Sequence, residues 1–458
     1  MKKIYFINIG CKVNFAETSR LKKMFEELGY EIVSSQKEAE IILINTCTVT
    51  NSSDADSRKI IRRARKLNST AFIGVLGCYA QLKPQEILDT TGADAIFGIN
   101  DKFKIPEIIK QYEEELINCK SITHNANAFA NMKNNVSNTN NINDTNINDT
   151  KFNIDNTKFD FAYSADSESR ARAFLKLQDG CNFHCSYCII PFARGSSRSI
   201  DFDMILPQIN ELENADYKEI VISGINLSDY FSQGKNFIDL LEFISKLDKN
   251  IRFRISSIEP HIIDEKLLEI IANSKNICPH FHIPLQSGCD EILKKMRRRY
   301  NQKQFRDIIK NINDYIPNAF IGLDVISGFP TETEENFNET KNFINELNIS
   351  SLHCFTFSKR AGTLASTMKE QVPKSEKKRR TNELINLSGL KYQTFLEQNI
   401  DKVLTFLPEQ FDAMNEQYTG HTENYISILV PSKTRLTNNF YTVKLVELSN
   451  KKIICELY

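Results

Sequence analysis

Hydrophobic and polar positions in the first hundred residues recur in a fixed order, a short apolar run followed by an amphipathic one. Ile4–Ile9 precedes Phe15–Leu28, Ile41–Ile44 precedes Ser57–Leu67, and Ala71–Leu76 precedes Pro84–Leu88. This βαβα order predicts an open parallel α/β sheet covered by helices. The alternation resumes after Ala171, with strands expected near Ala173–Leu177, Glu219–Ser223, Arg252–Ser256, His280–Leu285, Ile321–Ile326 and Ser351–Phe357. Helical patterns such as Asp203–Leu212 and Lys303–Tyr315 separate them. Repeats of this kind suit a partial or complete parallel barrel better than a flat sheet, with the working face at the C-terminal strand ends. Beyond a charged helix around Ser375–Gln398 come short alternating runs, Val403–Leu407, Tyr425–Val430, Tyr441–Val446 and Lys452–Leu457. They show no helical period and predict a small antiparallel barrel.

The stretch from about Asn118 to Ala165 breaks the pattern, because NANAFANMKNNVSNTNNINDTNINDTKFNID is dominated by Asn and Thr. Such a composition buries too little apolar surface to order itself, so a disordered insertion or linker is expected there. At roughly 150 residues per domain, 458 residues suggest about three domains. Lys plus Arg and Asp plus Glu both total 58, so contact with a polyanion has to come from local patches. No run approaches the roughly 18 apolar residues of a membrane helix. The opening MKKIYFINIGCKVN reads as a first strand and not as a secretory signal, so a cytoplasmic protein is expected.

Eleven cysteines change the picture. In a cytosolic chain they are poorly explained as disulfides, which points to metal or redox chemistry. Cys181, Cys185 and Cys188 give C-x3-C-x2-C in DGCNFHCSYCIIPFARG, after the first predicted barrel strand. Three thiolates on one short loop can hold three irons of a four-iron cluster and leave the fourth open to an amino and carboxylate chelate such as that of S-adenosylmethionine. The alternative is a zinc loop completed by His184. With Tyr187 before the last Cys and a strand before the first, the cluster is the preferred reading.

Cys11 in NIGCKVN, Cys47 in NTCTVT and Cys78 in LGCYAQ each follow a predicted parallel strand, which puts all three on one sheet edge, where open α/β folds bind ligands. Packing alone accounts for isolated cysteines, but three in equivalent positions favour a second metal site. Cys119, Cys278, Cys289, Cys354 and Cys455 show no ligand spacing.

SGIN (Ser223–Asn226), RISSIEP (Arg254–Pro260), LQSG (Leu285–Gly288) and SGFPTET (Ser327–Thr333) also follow barrel strands. Singly each reads as a capped turn; together they outline a pocket for a nucleoside-like cofactor. Its candidate residues are Gly224, Ser257, Glu259, Gln286, Ser287 and Glu332, with Tyr187. Basic runs occur at Arg58–Lys66, Lys294–Arg299 and Lys374–Arg380. Such runs are as often solvated helix faces as binding sites; the first, following the Cys47 loop, can meet RNA phosphates there.

The segments GCKVN, NTCTVTNSSDADSRKIIRRAR, GCYAQ, DGCNFHCSYCIIPFARGSSRS, RISSIEP, LQSG, MRRRY and DVISGFPTET resemble the radical S-adenosylmethionine methylthiotransferases, most closely the branch acting on N6-threonylcarbamoyladenosine in tRNA. The resemblance implies a methylthiotransferase domain over 1–117, whose Cys11, Cys47 and Cys78 hold an auxiliary [4Fe-4S] cluster. It further implies the Asn-rich insertion at 118–165, a radical barrel of the partial (βα)6 kind over 166–390, and an RNA-binding TRAM domain over 391–458. In that family extra sulfur on the auxiliary cluster is methylated by one S-adenosylmethionine. A second, on the Cys181, Cys185 and Cys188 cluster, is cleaved to a 5′-deoxyadenosyl radical that takes hydrogen from C2 of the adenine. An aromatic C–H is too strong for a side-chain base, so cofactor chemistry is required. The target base lies beside the anticodon, in a loop, where it turns out of its stack at modest cost.

The chain departs from the family pattern in two places. Phe15-Ala16 stands where relatives commonly carry Gln-Tyr, and Thr331 replaces the Gly of GFPGET. The competing substrates are isopentenyladenosine in tRNA and a ribosomal-protein aspartate; the competing class is a non-catalytic, zinc- or iron-binding RNA-binding protein. An electron donor and a sulfur source are implied partners whose identity the sequence does not carry.

Overall fold

The computed structural model describes residues 2–120, 154, 162–164, 171–449 and 452–458. It falls into two compact units, one of Met1–Ser164 with Asp179–Asn182 and Cys188–Arg198, the other of Ala165–Gln178, Phe183–Tyr187 and Ser199–Tyr458. The expected insertion at 118–165 lies outside the described residues except for 118–120, 154 and 162–164.

The first unit carries the predicted parallel sheet. Its strands β1 (Lys3–Asn8), β2 (Glu31–Ile32), β3 (Ile41–Thr46), β4 (Phe72–Gly77) and β5 (Ala95–Ile96) run in the order β2-β1-β3-β4-β5. Both central strands β3 and β4 are buried on both faces, which is why they read as continuous apolar runs. Ile41 and Leu43 point to one face and pack with Leu21 and Phe25 of α1 (Lys12–Glu27). Ile42 and Ile44 point to the other and pack with Ile61 and Ala64 of α2 (Asn51–Leu67). Further helices, α3 (Cys78–Leu82), α4 (Pro84–Thr91) and α5 (Ile105–Lys120), follow.

In the second unit all six expected barrel strands are present: β6 (Arg172–Lys176), β7 (Glu219–Ser223), β8 (Arg252–Ile255), β9 (His280–Gln286), β10 (Phe320–Ser327) and β11 (Ser351–Thr356). They are parallel in the order β6-β7-β8 and β9-β10-β11, and a single parallel bridge from Phe253 to Ile277 links the two sets. Connecting helices start on side-chain caps, as at Asn236, Asp264, Asn301 and Thr333, each accepting from a backbone N–H of the first turn.

The C-terminal barrel is closed by five strands, β12 (Val403–Asp412), β13 (Gln417–Thr422), β14 (Ser427–Pro431), β15 (Tyr441–Ser449) and β16 (Lys452–Leu457). Its pairing is antiparallel except between β14 and β16, which is parallel, a departure from the all-antiparallel expectation that lets five strands close without an edge. It rests on the N-terminal ends of the larger barrel's strands through buried charge. Glu219, at the start of β7, accepts from Arg252 Nε at 2.5 Å and from Arg254 Nε and Nη2 at 2.8 and 3.0 Å. The same guanidiniums donate to the carbonyls of His421, at 2.9 Å, and Glu423, at 2.9 Å.

Candidate functional site

Cys11, Cys47 and Cys78 come together in the first unit by register. Asn8 of β1 pairs with Asn45 of β3, and Thr46 of β3 pairs with Gly77 of β4, so three neighbouring strands end together. Cys11 caps the N-terminus of α1, Cys47 follows β3, and Cys78 opens α3. The loops approach so closely that a Cβ on Gly10, whose φ is +124°, would stand 2.9 Å from Cys47 Cβ. Gly77 is held as tightly: at φ +97° a Cβ there would meet the Thr46 carbonyl at 2.4 Å. Asn14 laces the edge together, donating to the carbonyls of Ile9 and Thr46, both at 3.0 Å.

Electrostatics set these thiols apart. Burial, then the neighbouring Cys78 sulfur, pushes Cys47 up to about 11, and burial raises Cys78 as well. Countercharge is built in. Arg194, fully buried, donates from Nε to Cys78 Sγ at 3.2 Å, and Lys102, also buried, pairs with Glu17 of α1. Among the described residues no three His, Cys, Asp or Glu side chains stand close enough to share one metal ion. A four-iron cluster spans more space than an ion. Three soft thiols on one edge, facing a cationic donor, are a donor set that fits it.

In the C-x3-C-x2-C segment, Cys181 and Cys188 belong to the first unit and Cys185 to the second. Gly180 makes the turn into the segment with φ +70°, where a Cβ would stand 2.0 Å from the Ser196 carbonyl. Cys181 N–H donates to the Gly195 carbonyl at 3.1 Å. In the second unit Arg298 donates from Nη1 to Cys185 Sγ at 3.3 Å and forms an ion pair with Glu259. Burial raises Glu259 above the usual carboxylate range, against the pull of Arg298. Tyr300 donates to the Pro284 and Leu285 carbonyls, at 2.6 and 2.7 Å, just before Gln286.

The remaining pocket candidates sit on strand-end loops of the same unit. Gly224 follows β7 with Leu227 Cδ2 only 2.8 Å from where a Cβ would be. Ser257 follows β8, and Gln286 ends β9 at φ +64°. Ser287 is buried against Thr340 at 3.1 Å. Glu332 is buried and accepts from Arg380 Nη1 at 2.8 Å and Gly328 N–H at 2.7 Å. Tyr187 packs against Met296, Phe329 and Phe357.

Comparison with known proteins shows what the chain is similar to. The model described as "Radical SAM superfamily" matches residues 175–344, and that described as "Uncharacterized protein family UPF0004" matches residues 3–98. The chain is 37% identical to the threonylcarbamoyladenosine tRNA methylthiotransferase MtaB of Bacillus subtilis, over 98% of this chain and 94% of that one. The chain belongs to the radical SAM methylthiotransferase family. It is 28% identical to the tRNA-2-methylthio-N(6)-dimethylallyladenosine synthase of Methylacidiphilum infernorum, over 98% of this chain and 93% of that one. Its fold is shared with the radical S-adenosylmethionine methyltransferase TsrM of Kitasatospora setae, solved with cobalamin and a [4Fe-4S] cluster, at a TM-score of 0.52 and 12% identity, over 80% of this chain and 74% of that one.

The methylthiotransferase chain spends most of its basic runs internally. On α2, Arg58 pairs with Glu86 at 2.6 Å, Arg62 donates to the Thr90 carbonyl at 2.8 Å, and Arg65 pairs with Asp94, which leaves Lys59, Arg63 and Lys66 exposed. The Arg298 side chain is buried beside Cys185, Arg299 lies 4.1 Å from the Phe183 ring centroid, and Arg379 and Arg380 pair with Glu376 and Glu334. Arg194, Asn14 and Glu17 carry no motif spacing, and the pattern of the chain missed them. For Asn14 and Glu17 the one signal is a cluster of polar residues on the inward face of α1; Arg194 has none.

Proposed function

We propose that this chain methylthiolates C2 of N6-threonylcarbamoyladenosine next to the anticodon of tRNA, in the cytoplasm. Cys181, Cys185 and Cys188 hold the [4Fe-4S] cluster that receives S-adenosylmethionine, and Cys11, Cys47 and Cys78 hold the auxiliary one. Bound there, the clusters and S-adenosylmethionine supply the radical that removes an unreactive aromatic hydrogen and the sulfur that replaces it. The chain's own residues bind and orient: Tyr187, Gly224, Ser257, Glu259, Gln286, Ser287 and Glu332 flank the cofactor. The domain limits follow, 1–117 for the auxiliary site, 166–390 for the radical barrel and 391–458 for RNA binding, with 118–165 inserted between the first two. The observation that carries the reading is the meeting of Cys11, Cys47 and Cys78 at the ends of three adjacent parallel strands, in a chain that also has the contiguous cysteine triplet. Greater identity to the relative named for threonylcarbamoyladenosine than to the one named for dimethylallyladenosine supports the choice of substrate.

The test is mass spectrometry of tRNA nucleosides from a deletion strain, complemented with wild type or with Cys78→Ala. Loss of the methylthio form of threonylcarbamoyladenosine in the deletion, its return with wild type and not with the variant, supports the reading. An unchanged nucleoside profile removes it. Purified anaerobically, wild type should hold about eight irons and the variant about four. Zinc with negligible sulfide would move the chain to the RNA-binding class.

A further inference from the structure

One guanidinium in the first unit touches nearly everything that matters there. Arg194, fully buried, reaches Cys78 Sγ with Nε at 3.2 Å, Asn14 Oδ1 with Nη2 at 2.6 Å, and Glu17 Oε1 and Asp179 Oδ1 with Nη1, both at 3.0 Å. Asn14 in turn accepts from the Cys11 thiol at 3.7 Å. Asp179 stands two residues before Cys181, and Arg194 six residues after Cys188, in segments that belong to the same compact unit. A buried arginine needs compensating carboxylates, and Glu17 and Asp179 provide them. That leaves the Nε–H aimed at sulfur. Hydrogen bonds and positive charge at a ligand sulfur favour the more negative, reduced state of an iron–sulfur cluster and so raise its potential.

Resting on the reading that Cys78 ligates the auxiliary cluster, we propose that Arg194 is a positioning residue that sets the potential of that cluster and fastens the Cys181 and Cys188 segments to it. Charge at this point has a sign, and the sign distinguishes tuning from packing. Arg194→Gln removes a positive charge and a donor to sulfur, and lowers the auxiliary potential. Glu17→Gln removes a negative charge that is shared with Lys102, and raises it. Arg194→Lys keeps the charge without the fixed Nε donor and falls between wild type and Arg194→Gln.

The experiment is an EPR-monitored redox titration of the anaerobically reconstituted full chain, without tRNA. At least a tenfold change in the reduced-to-oxidised ratio at fixed potential is expected for Arg194→Gln, equal to about 59 mV for one electron, with the opposite sign for Glu17→Gln. Potentials unchanged in both variants, or shifted in the same direction, overturn the inference while both clusters are present. A wild-type sample with one cluster, or a second cluster that survives Cys78→Ala, overturns the ligand reading instead. Should Arg194→Gln not fold, Glu17→Gln and Arg194→Lys still give opposite signs or refute the proposal.

Discussion

Removing the charge of Glu219 tests how the C-terminal barrel is held. Its carboxylate is fully buried at the base of the larger barrel and takes three hydrogen bonds, from Arg252 Nε at 2.5 Å and from Arg254 Nε and Nη2 at 2.8 and 3.0 Å. Glu219→Gln keeps the shape and strands two buried guanidiniums without a counterion. Breaking a buried pair on one side costs about 3–5 kcal/mol, or a melting temperature lower by about 6–20 °C at roughly 2–4 °C per kcal/mol. Because Arg252 and Arg254 also hold the His421 and Glu423 carbonyls, limited proteolysis should release the segment after Gln398 sooner in the variant. The pH dependence has a fixed sign. Burial opposes ionisation, yet Arg254 and Arg252 hold the Glu219 carboxyl well below the usual carboxylate range. A group depressed in the folded state contributes its full stabilisation above its unfolded pKa of about 4.3 and loses it as pH falls through the folded value. Wild type should therefore gain nothing over the variant below the folded pKa, and its full margin should persist from pH 5 to 7. A variant melting within about 1 kcal/mol of wild type at pH 7 would refute the argument.

Thr331 holds φ +69°, a left-handed conformation that costs a β-branched residue about 1–2 kcal/mol. Against this, glycine adds roughly 0.4–1 kcal/mol of unfolded-state entropy, so Thr331→Gly should be neutral to slightly stabilising in a thermal melt, and a loss beyond about 1 kcal/mol would show the strain to be absent. Gly180→Ala pushes a Cβ to 2.0 Å from the Ser196 carbonyl at positive φ, and should cost more than about 1 kcal/mol together with iron lost on anaerobic reconstitution. Normal iron and stability in that variant would mean the turn is not fixed as described.

The fold was legible wherever burial followed the period of the element. All six strands of the larger barrel lie within a residue or two of the runs that predict them, because buried apolar residues recur along them, as at Ile220 and Ile222, Phe281 and Ile283, or Ile321 and Leu323. The strand Gln417–Thr422 was missed because its buried positions are Tyr418, Gly420 and Thr422, and Gly420 must lack a side chain, a Cβ there standing 2.1 Å from the Leu407 carbonyl. Helix α2 begins at Asn51, six residues before its apolar stripe, on the Thr50 cap. Helix α1 likewise starts early, since its first two turns turn Asn14, Glu17 and Thr18 inward and so invert the expected polarity. Thr331 is the reverse case, in which the sequence departure was visible and the backbone supplies its meaning: the family's glycine would occupy this φ without strain.

The site divides along the same physical line. Cysteines announce themselves by spacing, since a thiolate that binds iron has few other reasons to recur at strand ends. Buried charge does not. Arg298 sits in KKMRRR and Arg194 in PFARG, where each reads as an ordinary basic residue, yet each buries its side chain and donates to one cysteine sulfur. Which arginine of a run turns inward depends on a carboxylate elsewhere in the chain that can neutralise it, Glu259 for Arg298 and Glu17 with Asp179 for Arg194. Those partners are 39, 177 and 15 residues away in sequence, so no local window contains them. With the Arg298 side chain buried, the Lys294–Arg299 run has less exposed charge than its composition suggests. Lys59, Arg63 and Lys66 on α2, by contrast, keep their charge exposed.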